Sequence, residues 1–233
     1  MRNYRVNEIF YSLQGEGHHT GRPAAFIRFA GCNLRCPFCD TEFDTYKTMT
    51  AEDIITTILP YPTRFVVLTG GEPTLQADEA FVDLLHQHGY EVAMESNGTR
   101  PAPRNLDWLT VSPKKSGERR EERGERNVYS GERREERGER LPDEVKIVFE
   151  ENTDPEAILS PLSSLLAPLK STLLSPLKSS LLSPLKSPLL YLQPCDTGDA
   201  ERNAQITKKC IDYIKEHPQW RLSLQTHKLL GIR

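Results

Sequence analysis

Along the chain, short apolar runs alternate with longer amphipathic ones. Residues 24–31 (AAFIRFAG) are apolar except for one arginine and predict a strand running into a loop. Residues 50–59 (TAEDIITTIL) place apolar residues at helical spacing behind a threonine suited to cap them, predicting a helix. Residues 64–73 (RFVVLTGGEP) read as a buried strand stopped by glycines, and 76–89 (QADEAFVDLLHQHG) as an amphipathic helix ended by glycine. Further strands are predicted at 90–98, 106–113, 144–150 and 188–194, a long helix over 199–217, and a last strand at 220–225. Strands followed by helices imply a parallel sheet, and about six such units predict an α/β fold, a partial (β/α)6-like TIM barrel. Ligands of such sheets gather at the carboxyl ends of the strands. The cysteine loop at 31–40, GGEP (70–73), ESNG (95–98), SPK (112–114) and QPCD (193–196) each follow a predicted strand, so one shared site is expected.

Two stretches fit neither period. GERREERGER occurs at 117–126 and again at 131–140, with no apolar face to bury. Residues 163–186 repeat SSLLAPLK, STLLSPLK and SSLLSPLK, with a proline every eight residues that breaks any continuous helix. Both read as low-complexity surface insertions, at 117–140 and 160–187, in one domain spanning 1–233. The 233 residues suffice for one substantial core, and a net charge of −3 gives no electrostatic footprint for nucleic acid or a membrane. The start, MRNYRVNEIFYSLQGEG, lacks the apolar centre of a signal peptide, and no run of roughly 18 apolar residues is present. The expected location is the cytoplasm, where cysteines serve metals or redox chemistry before disulfides.

The thiols then change the picture. Cys32, Cys36 and Cys39 are spaced C-x3-C-x2-C with no second pair, whereas structural zinc takes four ligands. His18 and His19 lie in a polar loop and read as solvated. Cys210 falls within the long helix and reads as core; Cys195 follows a strand and reads as packing beside the site. Three thiolates suit an iron–sulfur cluster with one open iron. Arg28, alone in FIRFA, is costly to bury unless paired; its partner is either an internal carboxylate or a ligand carboxylate.

The C-x3-C-x2-C motif with Phe38 before its last cysteine, followed by TGGEP (69–73), resembles the radical S-adenosylmethionine (SAM) superfamily. The flanks FYSLQGEG (10–17), FIRFAGCNLRCPFCDT (26–41), ESNGT (95–99), SPK, LQPCD (192–196) and LQTHKLLGI (224–232) are similar to the 7-carboxy-7-deazaguanine synthase family. This resemblance spans nearly the whole chain outside the insertions. It implies a radical SAM type of partial barrel and a lyase of the queuosine-precursor route. Such an enzyme converts 6-carboxy-5,6,7,8-tetrahydropterin to 7-carboxy-7-deazaguanine with loss of ammonia, through reductive cleavage of SAM to a 5′-deoxyadenosyl radical. It implies a 4Fe-4S cluster on Cys32, Cys36 and Cys39, and Mg2+ on Thr41. Substrate would meet Leu13, Gln14, Gly15, Arg28, Thr69 and Arg233, with Glu16 assisting and His227 capping. SAM would meet Phe38, Cys39, Asp40, Gly71, Ser112, Pro113, Lys114, Gln193, Pro194, Cys195 and Asp196. Implied partners are a flavodoxin- or ferredoxin-type electron donor and a second copy in a homodimer. The chain departs from the family in its insertions and in ending on Arg233 where relatives commonly end on proline. Two other readings share the cysteine trio: a radical SAM activating enzyme acting on a protein partner, and a non-catalytic zinc-binding module.

Overall fold

The strands carry two alternating sets of side chains, and that alternation builds the molecule. In the computed structural model, which describes residues 2–39, 41–114, 140–160 and 187–233, nine strands form one sheet. They are β1 (Asn3–Leu13), β2 (Pro23–Phe29), β3 (Lys47–Thr50), β4 (Phe65–Gly70), β5 (Glu91–Ser96), β6 (Trp108–Val111), β7 (Glu144–Phe149), β8 (Leu189–Pro194) and β9 (Trp220–Leu222). Their order is β3-β1-β2-β4-β5-β6-β7-β8-β9. From β2 to β9 every neighbouring pair is parallel, while β1 pairs antiparallel with both β2 and β3. The edges β3 and β9 do not pair with each other, so the barrel is partial, as expected. The antiparallel edge made by β1 and β3 was not expected, and no helix separates β5 from β6.

On the outer face Ile27, Phe29, Val66, Leu68, Val92 and Met94 alternate outward beneath α1 (Ala51–Ile58) and α2 (Glu79–Gln87). Those helices answer with Ile54, Ile58, Phe81 and Leu85, each at most 1% exposed and each stabilising by roughly 1.5–3 kcal/mol on burial. Thr50 caps α1 in a reciprocal box with Asp53, as its position predicts. A second outer core joins Ile147, Phe149 and Leu192 to Leu159 of α3 (Pro155–Leu159) and to Ile206 and Cys210 of α4 (Ala200–Glu216). Cys210 is therefore a core residue, and burial pushes its thiol up to about 12.

The inner face is graded. Phe26, Phe65, Val67 and Ala93 close its amino-terminal end, and polar side chains take over toward the carboxyl ends. A bulge between Val6 and Glu8 reverses the facing of β1: Tyr4 and Val6 join the outer core, whereas Phe10 joins the inner one.

After β9 the chain turns back across the open side of the sheet through α5 (Thr226–Leu230) to reach β1. Ser223 Oγ accepts from Gly17 N at 3.0 Å, and Thr226 N donates to Gly15 O at 3.0 Å. Arg233 pairs with Glu8. Of the predicted insertions at 117–140 and 160–187, all but Arg140, Ser160 and Ser187 lie outside the described residues.

Candidate active site

A cavity of about 450 Å3 opens at the carboxyl ends of the parallel strands, within the range of small-molecule sites. Arg28, Thr69, Glu95, Thr110 and Lys146 enter it from β2, β4, β5, β6 and β7. Each is an inward strand position; Thr110 and Lys146 are buried there, and Arg28, Thr69 and Glu95 are half-buried.

Cys32, Cys36 and Cys39 all line the cavity, and none of them is in a disulfide. Cys32 Sγ accepts from Leu34 N at 3.4 Å and lies 4.0 Å from Asn97 Nδ2. Asn97 also donates to Asn33 at 3.0 Å, and Asn33 to Thr99 at 2.7 Å, fastening the cysteine loop to the end of β5. Burial raises the Cys32 thiol above its ordinary value, so its thiolate calls for a compensating cation. Among the described residues no three His, Cys, Asp or Glu converge on a single-ion site. Three thiols around a cavity, one already receiving N–H donors, fit an iron–sulfur cluster in which each thiol takes its own iron.

The turn after β4 forms a cradle beside that loop. A Cβ on Gly71 would lie 2.0 Å from Gly31 O and 2.5 Å from Gly31 C, so only glycine lets the turn pass this close. Glu72, fully buried, holds the turn to the next strand end. Its Oε1 accepts from Thr74 N (3.0 Å), Thr74 Oγ1 (2.6 Å) and Ser96 Oγ (2.9 Å), and its Oε2 from Asn97 N (2.7 Å). Burial raises its carboxyl although all four bonds oppose the shift. Close backbone and a rigid turn fit the amino-acid end of SAM.

Arg28 has Glu8 opposite it in the β1–β2 register, 3.7 Å away, and lies over the Phe10 ring at 5.0 Å. Arg233 pairs with the same carboxylate and lies over the same ring at 5.5 Å. Two guanidiniums thus share one carboxylate at the cavity wall. Of the two kinds of partner open to Arg28, an internal carboxylate is present, and Arg28 shares it with Arg233.

Farther along the wall is a second charged group. Lys146, with a side chain 5% exposed, bonds Glu16 and lies 3.5 Å from Glu95. Gln14 Nε2 donates to Glu95 at 2.7 Å, and Gln225 Nε2 to Glu16 at 2.9 Å. Burial would raise the Glu16 carboxyl, but the charge and hydrogen bond of Lys146 hold it well below the ordinary carboxylate range. Burial likewise pulls the Lys146 ammonium down, and the charges of Glu16 and Glu95 more than offset that. Beneath them burial pushes Glu144 up to about 7, against a 2.9 Å bond from His18 N and the charge of Lys146.

Most residues named from the sequence meet in this cavity. Leu13 reaches it at the end of β1 and Gln14, Gly15 and Glu16 on the turn that follows, Thr69 from β4 and Gly71 just after it, and Phe38 and Thr41 flank Cys39. Ser112 and Lys114 face it, joined by a 2.8 Å bond, with Lys114 over the Phe38 ring. Pro113 corrects the expectation: it is buried and does not line the cavity, because consecutive residues of an extended segment face opposite sides. Gln193, Pro194, Cys195 and Asp196 line the far wall, and Asp196 takes Lys228 at 2.9 Å, which with donors from Gly198 and Asn203 holds it at about 2. His227 and Arg233 come from the returning segment. Asp40 lies outside the described residues. His18 and His19 do not line the cavity; His18 stacks on Trp108 at 4.6 Å. Lys146 was missed and Glu95 was marked only as part of ESNG (95–98), although a charge among apolar strand neighbours is the signal that singled out Arg28.

The radical SAM superfamily matches residues 26–149. The chain is 40% identical to the 7-carboxy-7-deazaguanine synthase of Bacteroides thetaiotaomicron over 98% of each chain. It is 39% identical to that of Bradyrhizobium diazoefficiens, covering 99% of this chain and 100% of the relative. The crystal structure of QueE from Escherichia coli superposes with a TM-score of 0.66 at 29% identity, over 95% of this chain and 93% of that one.

Proposed function

Because the chain belongs to the radical SAM superfamily and, within it, to the 7-carboxy-7-deazaguanine synthases, we propose that its cavity converts 6-carboxy-5,6,7,8-tetrahydropterin to 7-carboxy-7-deazaguanine with release of ammonia. It is a lyase that uses a 4Fe-4S cluster and SAM. The observation that carries this reading is the meeting of the cysteine loop, the Gly71 cradle and the Arg28 wall in one cavity, on a chain that full-length relatives match. The zinc-module and protein-activating readings are set aside on the same ground.

When bound, the cluster and SAM together supply one-electron hydrogen-abstraction chemistry. This chain's residues bind, orient and shield. Cys32, Cys36 and Cys39 hold the cluster. Gly71, Phe38, Asp40, Ser112, Lys114 and the 193–196 segment hold SAM. Arg28 and Arg233 take the substrate carboxylate through their guanidiniums. Leu13, Gln14, Gly15 and Thr69 place the rings, and the returning segment with His227 keeps water out. Thr41 offers Mg2+ one hard oxygen, leaving substrate and water to supply the rest.

The electron donor is a flavodoxin or ferredoxin, and the location is the cytoplasm. Among the described residues no helix is long and apolar enough to cross a membrane. The exposed Leu224, Leu229, Leu230 and Ile232 support a homodimer. The chain is one radical SAM domain with surface insertions at 117–140 and 160–187.

Anaerobic protein loaded with iron and sulfide is expected to form 7-carboxy-7-deazaguanine from the carboxytetrahydropterin when given reductant, SAM and Mg2+. SAM cleavage without that product would overturn the substrate assignment. Product formation undiminished by chelation would remove Mg2+ from the scheme.

A further inference from the structure

The cavity is electrically two-ended. At one end two guanidiniums, Arg28 and Arg233, stand beside Glu8, while at the other two carboxylates, Glu16 and Glu95, face the single ammonium of Lys146. A ligand matched to such a wall carries a carboxylate at one end and a donor-rich edge at the other. A 6-carboxypterin has this form: its carboxylate is remote from the amino-pyrimidinone edge, where a ring N–H and an exocyclic NH2 stand side by side.

The hydrogen bonds show which groups are left to read that edge. Gln14 is committed at both ends, its NH2 to Glu95 at 2.7 Å and its carbonyl to Gly15 N and Glu16 N at 2.8 and 3.3 Å. Glu16 has one oxygen on Gln225 and the other on Lys146; Glu95 has one on Gln14 and the other near Lys146. A carboxylate oxygen accepts more than one hydrogen bond, so both carboxylates keep acceptor capacity on the side that lines the cavity. Other titratable groups stand close by: Glu144 below, at the start of β7, and His227 on the returning segment.

We propose that Lys146 is the positioning residue for the substrate's amino-pyrimidinone edge, holding Glu16 and Glu95 as fixed ionised acceptors for the ring N–H and NH2 donors. Gln14 and Gln225 act on the same carboxylates from either side. This inference rests on the pterin reading above and assigns its orientation: carboxylate toward Arg28, amino-pyrimidinone toward Lys146. A buried lysine with a merely structural role would fasten the 14–17 turn to β7 without discriminating between ring edges.

The test compares 6-carboxypterin with 6-carboxylumazine, which replaces the 2-amino donor by an acceptor oxygen. Binding to the cluster-loaded protein with SAM is followed anaerobically by ring fluorescence. The unaltered protein is expected to prefer the pterin by about 10- to 100-fold, the range for losing a hydrogen bond to a charged group. Lys146→Met is expected to reduce the preference below about threefold with SAM affinity unchanged, and Lys146→Arg to retain it. A Lys146→Met protein that keeps the preference, or weakens both ligands equally, overturns the proposal while leaving the pterin reading standing. If that variant fails to take up its cluster, Glu16→Gln and Glu95→Gln decide: collapse of the preference supports the proposal, and its survival overturns it. An unaltered protein that binds neither ligand overturns the pterin reading itself.

Discussion

Glu144 offers a stability prediction whose sign is set by burial. It opens β7 with 2% of its surface exposed, and its carboxylate accepts from His18 N. Burial, aided by the charges of Glu95 and Glu16, raises its carboxyl from an ordinary 4.5 to about 7. A group whose folded-state value is raised keeps its proton in the native state after the unfolded chain has lost it. Between pH 4.5 and 7, unfolding therefore releases a proton, and stability falls as pH rises. At 1.36 kcal/mol per pH unit, that interval amounts to about 3 kcal/mol, present in full above pH 7. Glu144→Gln keeps the shape and the carbonyl acceptor for His18 but removes the charge. Urea unfolding under anaerobic conditions at pH 4.5, 6 and 8 measures the difference. The two proteins are expected to match at pH 4.5, with the variant more stable by about 3 kcal/mol at pH 8. A difference that does not grow with pH, or a parent protein that is the more stable at pH 8, would refute the reasoning.

Three other substitutions probe the remaining walls. Gly71→Ala forces a Cβ to within 2.0 Å of Gly31 O, so SAM affinity measured by equilibrium dialysis should fall at least about tenfold as the cradle opens. Glu72→Gln turns an amide donor toward a donor, Asn97 N or the Thr74 and Ser96 groups, and should cost about 1–3 kcal/mol in anaerobic thermal unfolding; an unchanged melt would dismiss the Glu72 tie. Arg28→Ala should raise the substrate KM by about 10- to 100-fold at full iron content. Arg233→Ala should act in the same direction but less, because that side chain is 70% exposed; equal KM values for Arg28→Ala and the parent would remove the carboxylate from this wall.

The parallel strands were legible because each is a short apolar run closed by glycine or a polar turn, and the amphipathic helices because their apolar positions recur at helical spacing. The β1–β3 edge was not: the bulge at Val6–Glu8 breaks the alternation of β1, so its start reads as an irregular polar segment. At the site, residues in recognisable motifs after strands were found. Residues inside strands were found where a motif ran back into the strand, as at Thr69 and Gln193, or where a charge was weighed against its apolar neighbours. That reasoning identified Arg28 in FIRFA and applies equally to Lys146 in EVKIVF and Glu95 in VAMES. The shared use of Glu8 by Arg28 and Arg233 was hidden for another reason. It joins residues more than two hundred positions apart, and no local pattern encodes such a pairing.

That long-range pairing bears on the order in which the enzyme is made. The cluster thiols and the SAM cradle are complete within the first hundred residues, whereas the wall beside Gly15, Glu16 and Glu8 comes from residues 223–233. During synthesis from the amino terminus, the iron-binding half emerges first and stays open on one side until the last strand and its return arrive. The chamber that must hold a reactive intermediate away from solvent becomes a chamber only with the final segment.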